Sequence, residues 1–364
     1  MHDAAIQRVA ARAFEIPTDQ PEADGTLAWD KTTIVIVEID AGGQTGLGYT
    51  YADASLIPLI AGKLASVIAQ RDAFDIAGAG AALWRSVRNL GRSGLAATAI
   101  SAIDLALWDL KAKLLDMPLA SLLGRRRESV PIYGSGGFTS YSHDTLRRQL
   151  ASWVESAGCR WVKMKIGSDP HDDPRRVEVA RRAISDAGLF VDANGAFTPQ
   201  RAVALAERMA PQRVTWFEEP VTSDDPAGLA FVRAHAPTGM EIAAGEYGYN
   251  LDDFARLLAR PSIDVMQADV TRCGGISGFM QAAALCETRH IDLSGHCAPS
   301  AHRHAACAAP RLRHLEWFHD HVRIEHLFFD GAPQPKDGAI APDLSTPGLG
   351  LRLKERDVER YRVS

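Results

Sequence analysis

Two periods of apolar residues alternate along this chain, and the point where one gives way to the other divides it. Up to about residue 125 the pattern is β and then α. Thr32 to Ile39 is a β-branched run (TTIVIVEI) that predicts a strand; Gly42-Gly43 predicts a turn, and Gly46 to Thr50 a hairpin partner. From Leu56 to Ala69, and again from Ala96 to Leu115, apolar residues recur at helical spacing. In the second stretch Ile100, Ile103, Leu107 and Leu114 fall near one stripe, and Asp116-Met117-Pro118 stops the helix. A short helix follows, then the basic run Gly124–Arg127, read as a solvated linker.

From about Val130 the pattern becomes short apolar strands between longer amphipathic helices. The strands are Pro131–Tyr133, Trp161–Ile166, Leu189–Asp192, Val214–Glu218, Glu241–Ala244, Ile263–Gln267, Ile291–Ser294 and His314–Trp317. Helical stretches between them include Thr145–Ala157, Arg175–Ala187, Pro199–Met209, Pro226–Ala234, Leu251–Ala259 and Ile276–Arg289. This alternation predicts a (β/α)8-type barrel with a reduced final helix. A doubly wound sheet would alternate in the same way, so periodicity leaves that choice open. The position of the polar residues decides it.

Nearly every strand of this second part ends on an ionisable residue. Lys163 and Lys165, Asp192, Glu218 with Glu219, Glu246, Asp269, His296 and Glu316 follow one another about one βα unit apart. In a barrel the C-terminal strand ends converge on one face, so these groups become neighbours. Asp192, Glu218 and Glu246 would repel one another there, and a hard divalent cation on oxygen ligands, Mg²⁺ or Mn²⁺, relieves that. Alternation along the strand lets only one of Glu218 and Glu219 face inward, and the sequence leaves open which. Lys163 and Lys165 share a face, and two ammonium groups near a cation favour a neutral amine that acts as a base. Asp269 and His296 end adjacent strands and suit a carboxylate–imidazole dyad.

Composition excludes several other roles. The chain has 364 residues, 46% hydrophobic and 23% charged, which fits a globular protein with room for two domains. Its formal charge of −5 gives no reason to expect nucleic acid or an anionic membrane as partner. No apolar stretch approaches the roughly 18 residues of a membrane span, and the N-terminus lacks the pattern of a secretion signal. Five cysteines without a CxxC pair point to reduced thiols in the cytoplasm.

KMKIG (Lys163–Gly167), VDANG (Val191–Gly195), WFEEP (Trp216–Pro220), AAGE (Ala243–Glu246), QADVTRCGGI (Gln267–Ile276) and the segment around His296 resemble the mandelate racemase branch of the enolase superfamily. AISAIDLALWDLKAKLLDMPLASLLG (Ala99–Gly124) resembles that family's capping domain, and PGLGLRL (Pro347–Leu353) its C-terminal return. The resemblance implies an α+β capping domain at residues 1–125, a modified (β/α)7β TIM-like barrel at 126–330, and a tail at 331–364 that returns to the cap. It implies Mg²⁺ held by Asp192, Glu218 and Glu246. Lys165 and His296 with Asp269 would be the acid/base groups, with Lys163 at the substrate carboxylate. A protonated Glu316 would hydrogen-bond the enolate.

The implied reaction removes the proton next to a carboxylate of a small-molecule acid. Dehydration of an acid sugar is the first reading; a racemase, epimerase or lactone cycloisomerase is the second, and a non-catalytic binding relative the third. Tyr133, His143 and Asn194 are candidates for the substrate shell, and the loops Ile16–Asp30 and Gly46–Ala54 for specificity. The apolar cap suggests a homo-oligomer. Cys297 is expected to turn away from the barrel face by alternation. His302, His304, His314, His319 and His321 are expected to be polar surface or to make interstrand hydrogen bonds, with a second metal site as the alternative.

Overall fold

The structure, a computed structural model, describes residues 4–364. Three antiparallel strands open the chain: β1 (Arg8–Ala23), β2 (Ala28–Ala41) and β3 (Gln44–Tyr51). The β-branched run lies on the central strand, β2, and its side chains alternate. Ile34 and Ile36 join the core continuous with the barrel, while Val35, Val37 and Ile39 face the capping helices. The sequence pattern misses β1. Pro17 and Pro21 interrupt it, which an edge strand tolerates, and its register with β2 shifts between Pro17 and Glu22.

Two expected loops are therefore mostly strand. Ile16–Asp30 is the far end of the β1–β2 hairpin, turning at Asp24–Leu27, and Gly46–Ala54 is largely β3. The hairpin tip still reaches the barrel. A side chain at Gly25 would lie 2.4 Å from the Ala193 carbonyl and 2.6 Å from that of Ile166. The capping helices are Leu56–Ile68, with a π-helical turn at Ile60–Leu64, then Ile76–Ser86, to which the periodicity assigned nothing, and Leu95–Leu114. The last packs so closely on β3 that a Cβ at Gly48 would lie 2.0 Å from the Ala102 carbonyl.

Eight parallel strands follow: β4 (Val130–Gly136), β5 (Trp161–Lys165), β6 (Gly188–Asp192), β7 (Val214–Glu218), β8 (Glu241–Ala244), β9 (Val265–Ala268), β10 (Asp292–Gly295) and β11 (Leu312–Phe318). β11 pairs with β4 and closes the barrel, which settles the choice against an open sheet. Tyr133, Phe190, Trp216 and Val265 fill the interior below the strand ends, with His314 at 4.8 Å from the Tyr133 ring. A short helix, His319–Phe328, leads to a tail that lies back on the cap: Val363 donates to the Ala13 carbonyl at 2.9 Å, and Glu355 pairs with Arg12 at 2.7 Å. Arg127 of the expected linker is not merely solvated, since it donates to the Ala309 carbonyl at 2.8 Å. No helix among the described residues is long and apolar enough to cross a membrane.

Of His302, His304, His314, His319 and His321, all but His319 are buried structural groups rather than surface. His302 accepts from the Val270 amide at 3.1 Å, and His304 accepts from the Ala120 amide at 3.1 Å. His321 stacks on Tyr51 at 3.4 Å, joining barrel to cap. Burial pushes His304, His314 and His321 each down to about 3. A histidine lowered in the folded state takes its proton preferentially in the unfolded chain, so stability is lost as pH falls below about 6.5. Thermal unfolding followed by circular dichroism is expected to show this as a difference between proteins: the midpoint of His304→Gln, which lacks one such group, should fall less than that of wild type between pH 6.5 and 4.

Candidate active site

The strand ends fix the site by alternation and register. On β5, Val162 and Met164 pack outward into the main core, so Lys163 and Lys165 point into the barrel. Lys165 is in register with Asp192, and Asp192 with Glu218, which sets these three at one height. Glu246 follows β8 through Gly245, whose φ of +134° and close approach to the Gln267 carbonyl, 2.2 Å from a would-be Cβ, admit only glycine. Asp192, Glu218 and Glu246 are buried, with ligand oxygens all within 4.8 Å of one another.

The choice between the paired glutamates follows from the backbone. Glu218 is the last residue of β7 and faces inward above Trp216, whose indole donates to it at 3.0 Å. Glu219 leaves the strand in a left-handed conformation, φ +36°. It is nevertheless buried beside the cluster, with one carboxyl oxygen unpartnered.

Lys163 lies 2.5 Å from Glu218, 2.8 Å from Glu316 and 3.6 Å from Asp192, and Lys165 lies 2.5 Å from Asp192. Burial pulls both lysines down, but Glu218 and Glu316 for Lys163, and Asp192 for Lys165, more than reverse it. The expected mutual depression of the two ammonium groups is thus overridden by carboxylates. A neutral lysine requires those carboxylates to be committed to another cation.

The chemistry of the donor set fits such a cation. Six acids meet in the mouth (Asp192, Glu218, Glu219, Glu246, Asp269, Glu316), against Lys163, Lys165, Arg272 and a protonated His296. Two negative charges remain uncompensated. Protons can supply the balance: burial and Asp192 push Glu218 up to about 8 against the pull of Lys163, and burial with Glu246 raises Glu219 well above the carboxylate range. A divalent cation supplies the same balance, and the all-oxygen set of Asp192, Glu218 and Glu246 suits Mg²⁺.

Across the mouth, His296 bonds Asp269 through Nδ1 at 2.8 Å, and its Nε2 lies 3.3 Å from Glu246. Thr271 fixes the other Asp269 oxygen through its amide and hydroxyl, each at 2.7 Å. Burial lowers His296, but Cys297, Glu246 and Glu316, with the Asp269 bond, raise it well above the usual imidazole value. The proton on Nδ1 and the orientation of the ring are thereby set.

Burial raises Glu316, but Lys163 and His296 hold it below the usual carboxylate range, and the Ser135 hydroxyl and Cys297 amide donate to it at 2.6 and 3.0 Å. One expectation fails here. Cys297 does not turn away. β10 ends at Gly295, and Cys297 (φ +51°) lies beyond the strand, where alternation no longer holds. Its sulfur lies 3.3 Å from His296 Nε2 and 3.4 Å from Glu316.

Asn194 lies in the site, accepting from Lys165 at 3.0 Å. Tyr133 does not reach the mouth; it is fully buried in the aromatic layer under Lys163. His143 is half-exposed and pairs with Asp172 at 2.9 Å, with no bond to the acids or bases of the cluster. The sequence reading passed over Ser135, Gln267 and Arg272. Arg272 sits inside the quoted QADVTRCGGI motif and spans Glu246 and Asp269, at 3.4 and 3.8 Å. Gln267 is buried with both amide atoms unpartnered.

With this geometry established, sequence comparison identifies the lineage. Residues 9–124 match the mandelate racemase / muconate lactonizing enzyme N-terminal domain, and residues 145–358 match the enolase C-terminal domain-like family. The chain belongs to the mandelate racemase / muconate lactonizing enzyme family of the enolase superfamily. It is 32% identical to the 3,6-anhydro-alpha-L-galactonate cycloisomerase of Streptomyces coelicolor, over 98% of this chain and 99% of that one. It is 34% identical to the L-talarate/galactarate dehydratase of Salmonella typhimurium, over 90% and 82%. The structure of that dehydratase with Mg and L-lyxarohydroxamate superposes with a TM-score of 0.89 at 29% identity, covering 99% of this chain and 93% of the other. A mandelate racemase/muconate lactonizing enzyme-like protein from Rubrobacter xylanophilus superposes with a TM-score of 0.96 at 46% identity, covering 99% and 100%.

Two substitutions test the site. Glu218→Gln is expected to weaken Mg²⁺ binding in calorimetry at least about tenfold, because it removes one of three charged ligands. Glu219→Gln leaves the carboxylates of Asp192, Glu218 and Glu246 in place, so it should change affinity only slightly; equal losses would undo the assignment. Asp269→Asn is expected to cut turnover by about 10²–10⁴-fold while leaving circular dichroism unchanged. A fully active Asp269→Asn protein would remove the dyad from the chemistry.

Proposed function

We propose that this magnesium-dependent enzyme dehydrates an acid sugar, an aldonate or aldarate, to a 2-keto-3-deoxy acid. One observation carries the reading: two different proton carriers flank one buried acid cluster, Lys165 at 2.5 Å from Asp192 and His296 at 3.3 Å from Glu246. Asp192, Glu218 and Glu246 would hold Mg²⁺, which would act as a Lewis acid for negative charge on the substrate carboxylate. Lys163, charged and buried, stands beside that charge and lowers its cost.

Lys165 takes the α-proton at Nζ, and the C–H electron pair becomes the C=C bond of the enol. His296, an imidazolium held by Asp269, gives its Nε2 proton to the β-hydroxyl, which departs with the C–O electrons as water. The enol then ketonises. Elimination calls for one base and one acid, which suits a lysine facing an imidazolium. Racemisation calls for two groups that each take and return a proton. Glu316 is a positioning group that holds Lys163 and Cys297, and Asn194 orients Lys165.

A second reading is favoured by the cycloisomerase relative, whose alignment covers 99% of its length. In that reading the same α-proton transfer accompanies ring opening or closure. The five free, buried cysteines suit a reducing cytoplasm, and the exposed Leu90 and Leu95 of the cap suit a homo-oligomer.

The test is a reaction in D₂O with a panel of acid sugars. Wild type is expected to release a 2-keto-3-deoxy acid. His296→Asn is expected to make no keto acid yet still exchange deuterium into the α-position, because Lys165 remains. Exchange retained by Lys165→Met and lost by His296→Asn would reverse the two roles. A lactone or an inverted α-carbon with no water lost would replace the dehydratase by the second reading.

A further inference from the structure

The mouth of the barrel contains a second set of ligand atoms, of which the proton chemistry uses only His296 Nε2. His296 Nε2, Cys297 Sγ and one oxygen of Glu316 are all buried and lie within 4.8 Å of one another. Sulfur to nitrogen is 3.3 Å, sulfur to oxygen 3.4 Å, and nitrogen to oxygen 3.7 Å. Tetrahedral bonds of about 2.3 Å to sulfur and about 2.0–2.2 Å to nitrogen and oxygen put ligand atoms about 3.3–3.6 Å apart. The three atoms therefore already stand near the edge lengths of a zinc polyhedron.

Their support has the same character. A zinc-bound imidazole generally donates its other nitrogen to a carboxylate, and His296 Nδ1 does so to Asp269 at 2.8 Å. The Glu316 oxygen facing the sulfur is held by the Cys297 amide at 3.0 Å, while Lys163 occupies the other oxygen at 2.8 Å. The left-handed backbone at Cys297 and Ala298, φ +51° and +39°, is what brings the sulfur inward. Sulfur and imidazole are poor ligands for Mg²⁺ and good ones for zinc, so the two ion types sort themselves by donor chemistry.

We propose that His296, Cys297 and Glu316 form an inhibitory site for a thiophilic divalent cation, Zn²⁺, alongside the magnesium site. Binding replaces the thiol proton, which leaves to solvent, by a sulfur–zinc bond. It also displaces the Nε2 proton of His296 to solvent and takes the lone pair that held it, so that nitrogen can no longer carry a proton. Turnover stops although the magnesium ligands stay in place. The binding does not depend on which acid the enzyme acts upon.

Two measurements test this on the magnesium-loaded protein. In the first, Co²⁺ is titrated as a visible stand-in for zinc. Wild type is expected to develop a sulfur-to-cobalt charge-transfer band in the near ultraviolet that added Zn²⁺ abolishes, and Cys297→Ala and Cys297→Ser are expected to lack it. The other four cysteines remain in both variants, so loss of the band assigns it to Cys297. In the second, micromolar Zn²⁺ is added against millimolar Mg²⁺, each protein being compared with its own uninhibited rate. The half-inhibiting Zn²⁺ concentration is expected to rise at least tenfold in both variants. Absence of the band in wild type, or an unchanged half-inhibiting concentration in Cys297→Ser, would overturn the proposal; the latter would place the zinc on the magnesium carboxylates. The spectroscopic arm needs no substrate, so failure of the dehydratase reading would not be mistaken for failure of this one.

Discussion

Charge balance in a dry space governs this molecule. Asp192, Glu218, Glu219, Glu246, Asp269 and Glu316 are all buried at the mouth of one barrel, and an unpaired ionised carboxylate there costs several kcal/mol. Each solution the structure adopts follows from that. Lys163 bridges Glu218 and Glu316, Arg272 spans Glu246 and Asp269, and His296 is drawn towards its charged form. The upward shifts of Glu218 and Glu219 mark the charge still lacking a partner. A dication at Asp192, Glu218 and Glu246 answers the same deficit. Metal binding, lysine basicity and the state of the acids are therefore one coupled equilibrium rather than separate properties.

The capping domain contributes through contact more than through charge. Its hairpin tip presses on the ends of β5 and β6 at a glycine, Thr50 donates to the Thr271 carbonyl at 2.7 Å, and Tyr51 lies flat on His321. Thr271 is also the residue that holds Asp269. The cap is thus one residue removed from the dyad, and the tail that returns to β1 fastens it from the other side. Burial of the site depends on these close approaches, because water admitted there would weaken each ion pair.

Much of this was legible in one dimension. Eight apolar strands with polar ends are a local pattern, and side-chain alternation carries Lys163, Lys165, Asp192 and Glu218 inward together. Where a residue stays on its strand, parity reads correctly. It fails one step past the end: Glu219 and Cys297 adopt positive φ, and both remain in the site although alternation sends them out. β1 escaped because its prolines are tolerated only at a sheet edge, and the edge position is itself a tertiary fact. Tyr133 sits on an inward face as read, yet a layer too deep to meet a substrate.

The sequence by itself determined the β-then-α opening, the eight strands with polar ends, the identity of the converging acids and bases, and the crowding of carboxylates that suits a divalent cation, since these depend on residue type and period alone. Closure of the sheet, the placing of Glu218 rather than Glu219 on the inward face, the pull of Lys163 on Glu316 and the inward sulfur of Cys297 were decided only in three dimensions. Each depends on distances between groups far apart in the chain. A carboxylate's charge is set by which cation stands 2.8 Å away, and no reading of neighbours along the chain contains that distance.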